Sequence, residues 1–166
     1  MKQMKKILFG FLILFILVLA SGCGQAVAEM DIGSRLENEE RPVLTFGVKA
    51  DTNLFGFYNI EEGEIQGFDI DIAKALTDEM TDGRGVVEVI EITSKTRIPL
   101  LKTGKIDGII ATMTINEERA KQVDFSDVYF NGGQSLLVHE ESEINGIEDL
   151  TSDHTVLAIK GSSSTR

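Results

Sequence analysis

Between residues 43 and 160 the apolar positions change their period repeatedly, and each change marks a predicted element. "VLTFGVKA", starting at Val43, reads as a strand. "GFDIDIAKALTDEM" reads as a helix entered at Asp69, with Ile72, Ala73, Leu76 and Met80 on one face. "GVVEVIEI", rich in β-branched residues, is a second strand. "SKTRIPLLKTGKID" then predicts a short helix with a hydroxyl cap, Pro99 tolerated in its first turn, Ile98 and Leu101 inward and Gly104 as the stop. "GIIATMT" is a continuous apolar run of the kind found in a sheet covered on both faces. A short helix carrying Arg119 follows, then "VDFSDVYFNGGQSLLV" ending in a predicted strand, then "TVLAIKG" as another. Strands alternating with helices predict an α/β domain with a largely parallel sheet.

The first residues follow a different pattern. "MKQMKK" supplies three lysines, and residues 7–20 form a 14-residue apolar run, too short for the roughly 20 residues of a membrane-spanning helix and right for the apolar region of an export signal. The run ends at "LASGC", where Cys23 is the only cysteine of the chain. These residues resemble the lipobox of bacterial lipoproteins, although Ala20 stands where leucine is most usual. That resemblance implies cleavage before Cys23, lipid on its sulfur and a membrane-anchored chain on the extracytoplasmic face. The other reading of Cys23 is a buried unpaired thiol. Residues 24–42 are polar, lack a sustained apolar period and end at Pro42, as a tether would. The expected division is therefore a signal peptide over 1–22 and a lipidated tether over 23–42.

Charge narrows the partners. The chain carries a formal charge of −11, which becomes −14 once the three lysines of the signal are removed. Such an acidic chain is not expected to bind nucleic acid.

Candidate chemistry gathers at strand ends, which in open α/β sheets face the ligand crevice. Lys49 and Asp51 follow the first strand, and Thr112 and Thr114 close the third. Arg119 lies in the first turn of its helix, where a cation is ordinarily unfavourable. Its guanidinium, the N–H groups of that turn and the two threonine hydroxyls could converge on one carboxylate. A surface arginine balanced by Glu117 or Glu118 fits the same spacing. "KGSSST" lacks the residue order of a phosphate loop. His139 and His154 have no neighbours at metal-ligand spacing. Asp69 to Asp71 read as acids favoured in a first helical turn rather than as a metal site. No nucleophile with a nearby base stands out, and no cofactor is expected.

Taken together, "GFDIDIAKAL", "TRIPLLKTGKIDGIIATMTINEERAKQVDFSDVYF" and "GQSLLV" resemble the polar amino-acid-binding proteins of ABC importers, the extracellular solute-binding family 3, from about Val43 to Lys160. Thr77 departs from the small residue usual at its place. The resemblance implies a type II periplasmic-binding-protein-like α/β fold whose two lobes close on an amino acid and deliver it to a permease and ATPase. It also implies that Arg119 pairs with the ligand α-carboxylate, that Thr114 binds the same group, and that Thr112 helps at the α-amino end. Lys49 and Arg97 match positions facing the side chain in aspartate and glutamate binders, whereas Asp51 suits an amide or a basic group. The expected ligand order is glutamate or aspartate, then glutamine, then basic amino acids. Arg97 also fits a structural role, bridging its helix to nearby carboxylates.

Against that family, lobe 1 is expected over 43–136 and a hinge strand with the start of lobe 2 over 137–166. Lobe 1 is then largely present and lobe 2 only begun, so the sequence reads as a fragment. If so, an exposed sheet edge and weak ligand binding are expected. Gly161, Ser162 and Ser163 resemble a lobe 2 loop that touches ligand, and Ser162 is the candidate taken from it. An amino-acid sensor or a dehydratase-like enzyme on the same fold is the alternative, with Asp51 as its sole acid or base.

Overall fold

The computed structural model describes residues 31–165, so the expected signal peptide, Cys23 and the first part of the tether lie outside the described residues. The chain divides into two compact units, residues 1–35 and 36–166. Helix α1, Ile32–Asn38, begins in the first and ends in the second. It occupies part of the expected tether, which is therefore not extended throughout. Its last residues are held in the second unit, where Arg84 donates to the carbonyls of Leu36, Glu39 and Glu40 at 3.3, 2.9 and 3.2 Å. A cation is favoured there because helix-terminal carbonyls lack partners and carry negative partial charge.

The second unit is built around strand β1, Val43–Val48, which lies between two parallel neighbours, β5 (Val86–Glu91) and β6 (Gly108–Ile110). The registers run Val43 opposite Val86 to Val48 opposite Glu91, and Phe46 opposite Gly108 to Val48 opposite Ile110. Leu44, Phe46 and Val48, which share one face of this central strand, are buried, and Gly47 on the other face is buried against Ile92 and Ile106. Each of the three large side chains contributes about 1.5–3 kcal/mol through burial. Asp107 fastens the start of β6 to β1, accepting from Thr45 N at 2.8 Å while its own N–H donates to Thr45 O at 2.7 Å.

Between β1 and the next helix the chain forms an antiparallel meander that the sequence pattern did not reveal: β2 (Asp51–Thr52), β3 (Gly56–Asn59) and β4 (Glu64–Gln66). Helix α2, Phe68–Thr81, follows directly and packs across the parallel sheet. Its buried stripe is Asp69, Ile70, Ala73, Thr77 and Thr81, which corrects the expected face. Leu76 and Met80 are exposed, because the helix is turned so that its small and threonine positions meet the sheet. Thr77 is thus accommodated in the core, and Thr81 donates its hydroxyl to Thr77 O at 2.7 Å.

Helix α3, Arg97–Lys102, forms where expected, and Ile92, Ile106 and Ala111 make a small core beside Leu100, Leu101 and Ile109. Helix α4, Glu117–Ala120, is a single turn capped by Asn116. Beyond it, the two strands expected at 133–138 and 155–161 do not form; 3-10 turns at Ile147–Asp149 and Ser163–Thr165 are the regular elements described there. A strand needs a ladder partner for its N–H and C=O groups, and among the described residues neither segment has one. Leu137 and Leu157 are 102% and 93% exposed, so the apolar sequence has no core to enter.

Candidate ligand-binding site

The site forms where the chain leaves β6. The expected strand through Thr114 stops at Ile110, because Thr112 takes φ +46°, a left-handed conformation that ends the ladder. Ala111 is buried, whereas Thr112 and Thr114 are exposed and offer their hydroxyls. Arg119, 6% exposed, is no surface arginine. It donates from Nη1 to Thr114 O at 2.6 Å and from Nη2 to Gly161 O at 3.0 Å.

One part of the expected cradle is absent. The first-turn N–H of Arg119 is already taken by the Asn116 side chain at 2.9 Å, so it does not await a carboxylate. This N-cap was legible as an Asn followed by two acids, and sequence reasoning missed it.

Arg97 is 4% exposed and lies within electrostatic reach of Arg119. Burial first, and Arg119 second, hold its pKa down at about 10. Its one hydrogen bond is a long one, from Nη1 to Ala111 O at 3.5 Å, and its buried Nε has no partner. The expected bridge to carboxylates is therefore not made; among the described residues Arg97 forms no ion pair. A buried cation without a counterion is costly, and an incoming anion would offset that cost.

Lys49 and Asp51 handle their charges differently. Lys49 Nζ lies 2.9 Å from Asp51 Oδ1, and Asp51 is also bonded by the Thr52 hydroxyl at 3.3 Å. The hydrogen bond from Lys49 holds the Asp51 carboxyl below the usual carboxylate range. Asp51 is thus a paired, exposed anion at neutral pH, poorly suited to general acid or base work.

Ser162 is half-buried and accepts the Ser164 N–H on its hydroxyl at 3.2 Å. Its neighbours meet the site more directly. Gly161 supplies the carbonyl to Arg119, and Ser163 Oγ lies 3.2 Å from Thr114 Oγ1 and 3.1 Å from Gln134 Nε2. These pairings span tens of residues and left no local signal in the sequence. An open trough of about 1170 Å³ runs along β6 and the 122–134 segment; it includes Thr112 and Thr114 in its wall but neither arginine.

The sequence model of the bacterial extracellular solute-binding proteins, family 3, matches residues 44–163. The chain belongs to this family. It is 56% identical over 126 residues to a glutamine-binding protein of Geobacillus stearothermophilus, covering 76% of this chain and 48% of that protein. It is 48% identical over 170 residues to the ABC transporter glutamine-binding protein GlnH of Bacillus subtilis (strain 168), covering 98% of this chain and 62% of that protein. The chain thus spans about half to three fifths of the length of these relatives. Among solved structures it resembles arginine-bound domain 1 of TmArgBP, with a TM-score of 0.50 and 43% identity over 55% of this chain and 67% of that one. An ancestral arginine-binding protein bound to arginine gives a TM-score of 0.50 and 47% identity over 55% of this chain and 38% of that one. The expected α/β binding-protein fold is borne out, and the relatives named are binding proteins rather than enzymes.

Proposed function

We propose that the chain belongs to the substrate-binding component of an amino-acid ABC importer and that its ligand is glutamine. The observation that carries this reading is Arg119, buried at the end of the parallel sheet with its guanidinium bonded to the Thr114 carbonyl. That arrangement suits a ligand α-carboxylate, with Thr112 near the α-amino end. Glutamine is placed ahead of glutamate and aspartate for two reasons. The similar proteins from Geobacillus and Bacillus are named glutamine-binding proteins. The second reason is that Lys49 is already neutralised by Asp51, leaving a neutral, hydrogen-bonding pair where a side-chain amide can exchange both donor and acceptor bonds.

Glutamate is the second reading, and the unpaired Arg97 favours it. Cys23 as a lipid anchor, an extracytoplasmic location and delivery to a permease with its ATPase complete the proposal. Calorimetric titration of the chain with glutamine, glutamate and arginine tests it. Saturable glutamine binding about tenfold tighter than glutamate, a difference near 1.4 kcal/mol, is expected. Equal or tighter glutamate binding would reverse the ligand order, and no binding of any of the three would reject the reading.

A further inference from the structure

A neutral acceptor already stands where the ligand carboxylate is expected. Arg119 Nη2 donates to Gly161 O at 3.0 Å, and a little further along the chain Ser163 Oγ donates to Thr114 Oγ1 at 3.2 Å. The two side chains proposed for the α-carboxylate are thus both met by one turn, Gly161–Ser164, at sequence separations of 42 and 49. The turn is built for this place. Gly161 has φ +85°, a left-handed conformation that suits glycine, and a Cβ there would lie 3.0 Å from Ser94 O, so its backbone packs against the loop that leads into α3. The Ser162 N–H donates to Ile159 O at 3.0 Å, the Ser164 N–H donates to the Ser162 hydroxyl at 3.2 Å, and Gln134 Nε2 donates to Ser163 Oγ at 3.1 Å.

The chemistry of these contacts is that of a removable occupant. A buried guanidinium nitrogen without an acceptor is costly, and the Gly161 carbonyl supplies one in the empty protein. That carbonyl is uncharged, whereas a carboxylate accepts a charge-assisted bond of about twice the strength and takes two guanidinium N–H groups at once. The same exchange is open at Thr114, whose hydroxyl oxygen accepts from Ser163 while its own proton is free to rotate toward a carboxylate. Arg97 marks the contrast, because its buried Nε has no such stand-in.

We infer that the Gly161–Ser164 turn is an autoinhibitory strap: it fills the carboxylate position through the Gly161 carbonyl and the Ser163 hydroxyl, and an amino acid binds by displacing it from Arg119 and Thr114. Observed affinity is then the intrinsic affinity reduced by the fraction of time the strap is released. The competition with an amino acid rests on the proposed function; the hold of the turn on Arg119 and Thr114 does not. The strap is distinguished from a ligand contact by sign, since loosening a competitor tightens binding and loosening a contact weakens it.

The test uses Gly161→Ala and Ser163→Ala in the full chain, with glutamine as the probe. Gly161→Ala sets a Cβ against Ser94 O and disfavours the positive φ, and Ser163→Ala removes the bonds to Thr114 and Gln134. By calorimetry, Gly161→Ala is expected to bind glutamine about tenfold tighter than the unaltered chain, and Ser163→Ala about threefold tighter. Amide exchange followed by NMR is the second readout. The Ser162 amide, bonded to Ile159 O within the turn, should exchange about tenfold faster in Gly161→Ala than in the unaltered chain, and faster in the unaltered chain once glutamine is bound. Unchanged or weaker binding by both variants, or a Ser162 amide that glutamine protects, would overturn the inference. If no form binds glutamine, the proposed function fails, and the ligand-free exchange rates still decide: a faster Ser162 amide in Gly161→Ala upholds the hold on the site, and equal rates overturn it.

Discussion

Two parts of the candidate site treat positive charge in opposite ways. At the sheet end, Arg97 and Arg119 are buried and donate to backbone carbonyls, while Arg97 Nε has no partner and Arg97 forms no ion pair among the described residues. Beside the meander, Lys49 is cancelled by Asp51, which is 65% exposed. On the proposed reading, the difference separates attraction from discrimination. On that reading, a buried cation without an ion pair, as at Arg97, keeps its field available for an incoming carboxylate, because low dielectric strengthens it and solvent cannot screen it. An exposed pair offers little net field, so it can sort side chains by hydrogen bonding instead.

The contrast is broken most strongly at Arg119. Arg119→Ala should weaken glutamine binding by about 2–5 kcal/mol, because the ligand carboxylate would enter without its partner; calorimetry measures this directly. Arg97→Met should do something different. A buried cation replaced by an apolar chain of similar length should stabilise the ligand-free protein by about 2 kcal/mol, read as a higher melting temperature. The pH dependence has a definite sign: the penalty of burying this charge is fully present below about pH 10 and is relieved as pH rises through that value, so the unaltered protein gains stability there relative to Arg97→Met.

Asp51→Asn sharpens the comparison from the other side. Freeing Lys49 should shift the preference toward glutamate about tenfold, or 1.4 kcal/mol, with little change in melting because the pair is exposed. Thr112→Gly is expected to have the smallest effect, adding about 1 kcal/mol of stability by relieving the positive φ while weakening binding through the lost hydroxyl. Chemical denaturation and calorimetry on the same sample separate the two terms.

Sequence periodicity located what local physics decides. Strands β1 and β5 and helices α2 and α3 lie where the patterns place them, because each is a contiguous run with its own start and stop residues. The inward face of α2 was misread, since Leu76 and Met80 are more apolar than the threonines that occupy the core. Hydrophobicity says which residues can be buried, not which ones fit against a given sheet. The segments at 133–138 and 155–161 look like strands by composition, but pairing is a property of the neighbour, and none is described beside them.

The site divides along the same line. Arg119, Thr112 and Thr114 were legible because strand ends and helix starts can be read locally. The resemblance to a known family added Arg97 and their expected roles. The bonds from Tyr129 to Asp69 and from Ser163 to Thr114, at sequence separations of 60 and 49, were not legible. They connect residues that no periodicity links, and each depends on the fold having already formed.

The most direct measurement is a crystal structure of the chain grown with glutamine. The predicted result is the α-carboxylate within hydrogen-bond distance of the Arg119 guanidinium and the Thr114 hydroxyl, with the side-chain amide directed toward Lys49 and Asp51. Glutamine bound in the trough along β6, with Arg119 still bonded to Thr114 O and Gly161 O and making no contact with the ligand, would contradict it.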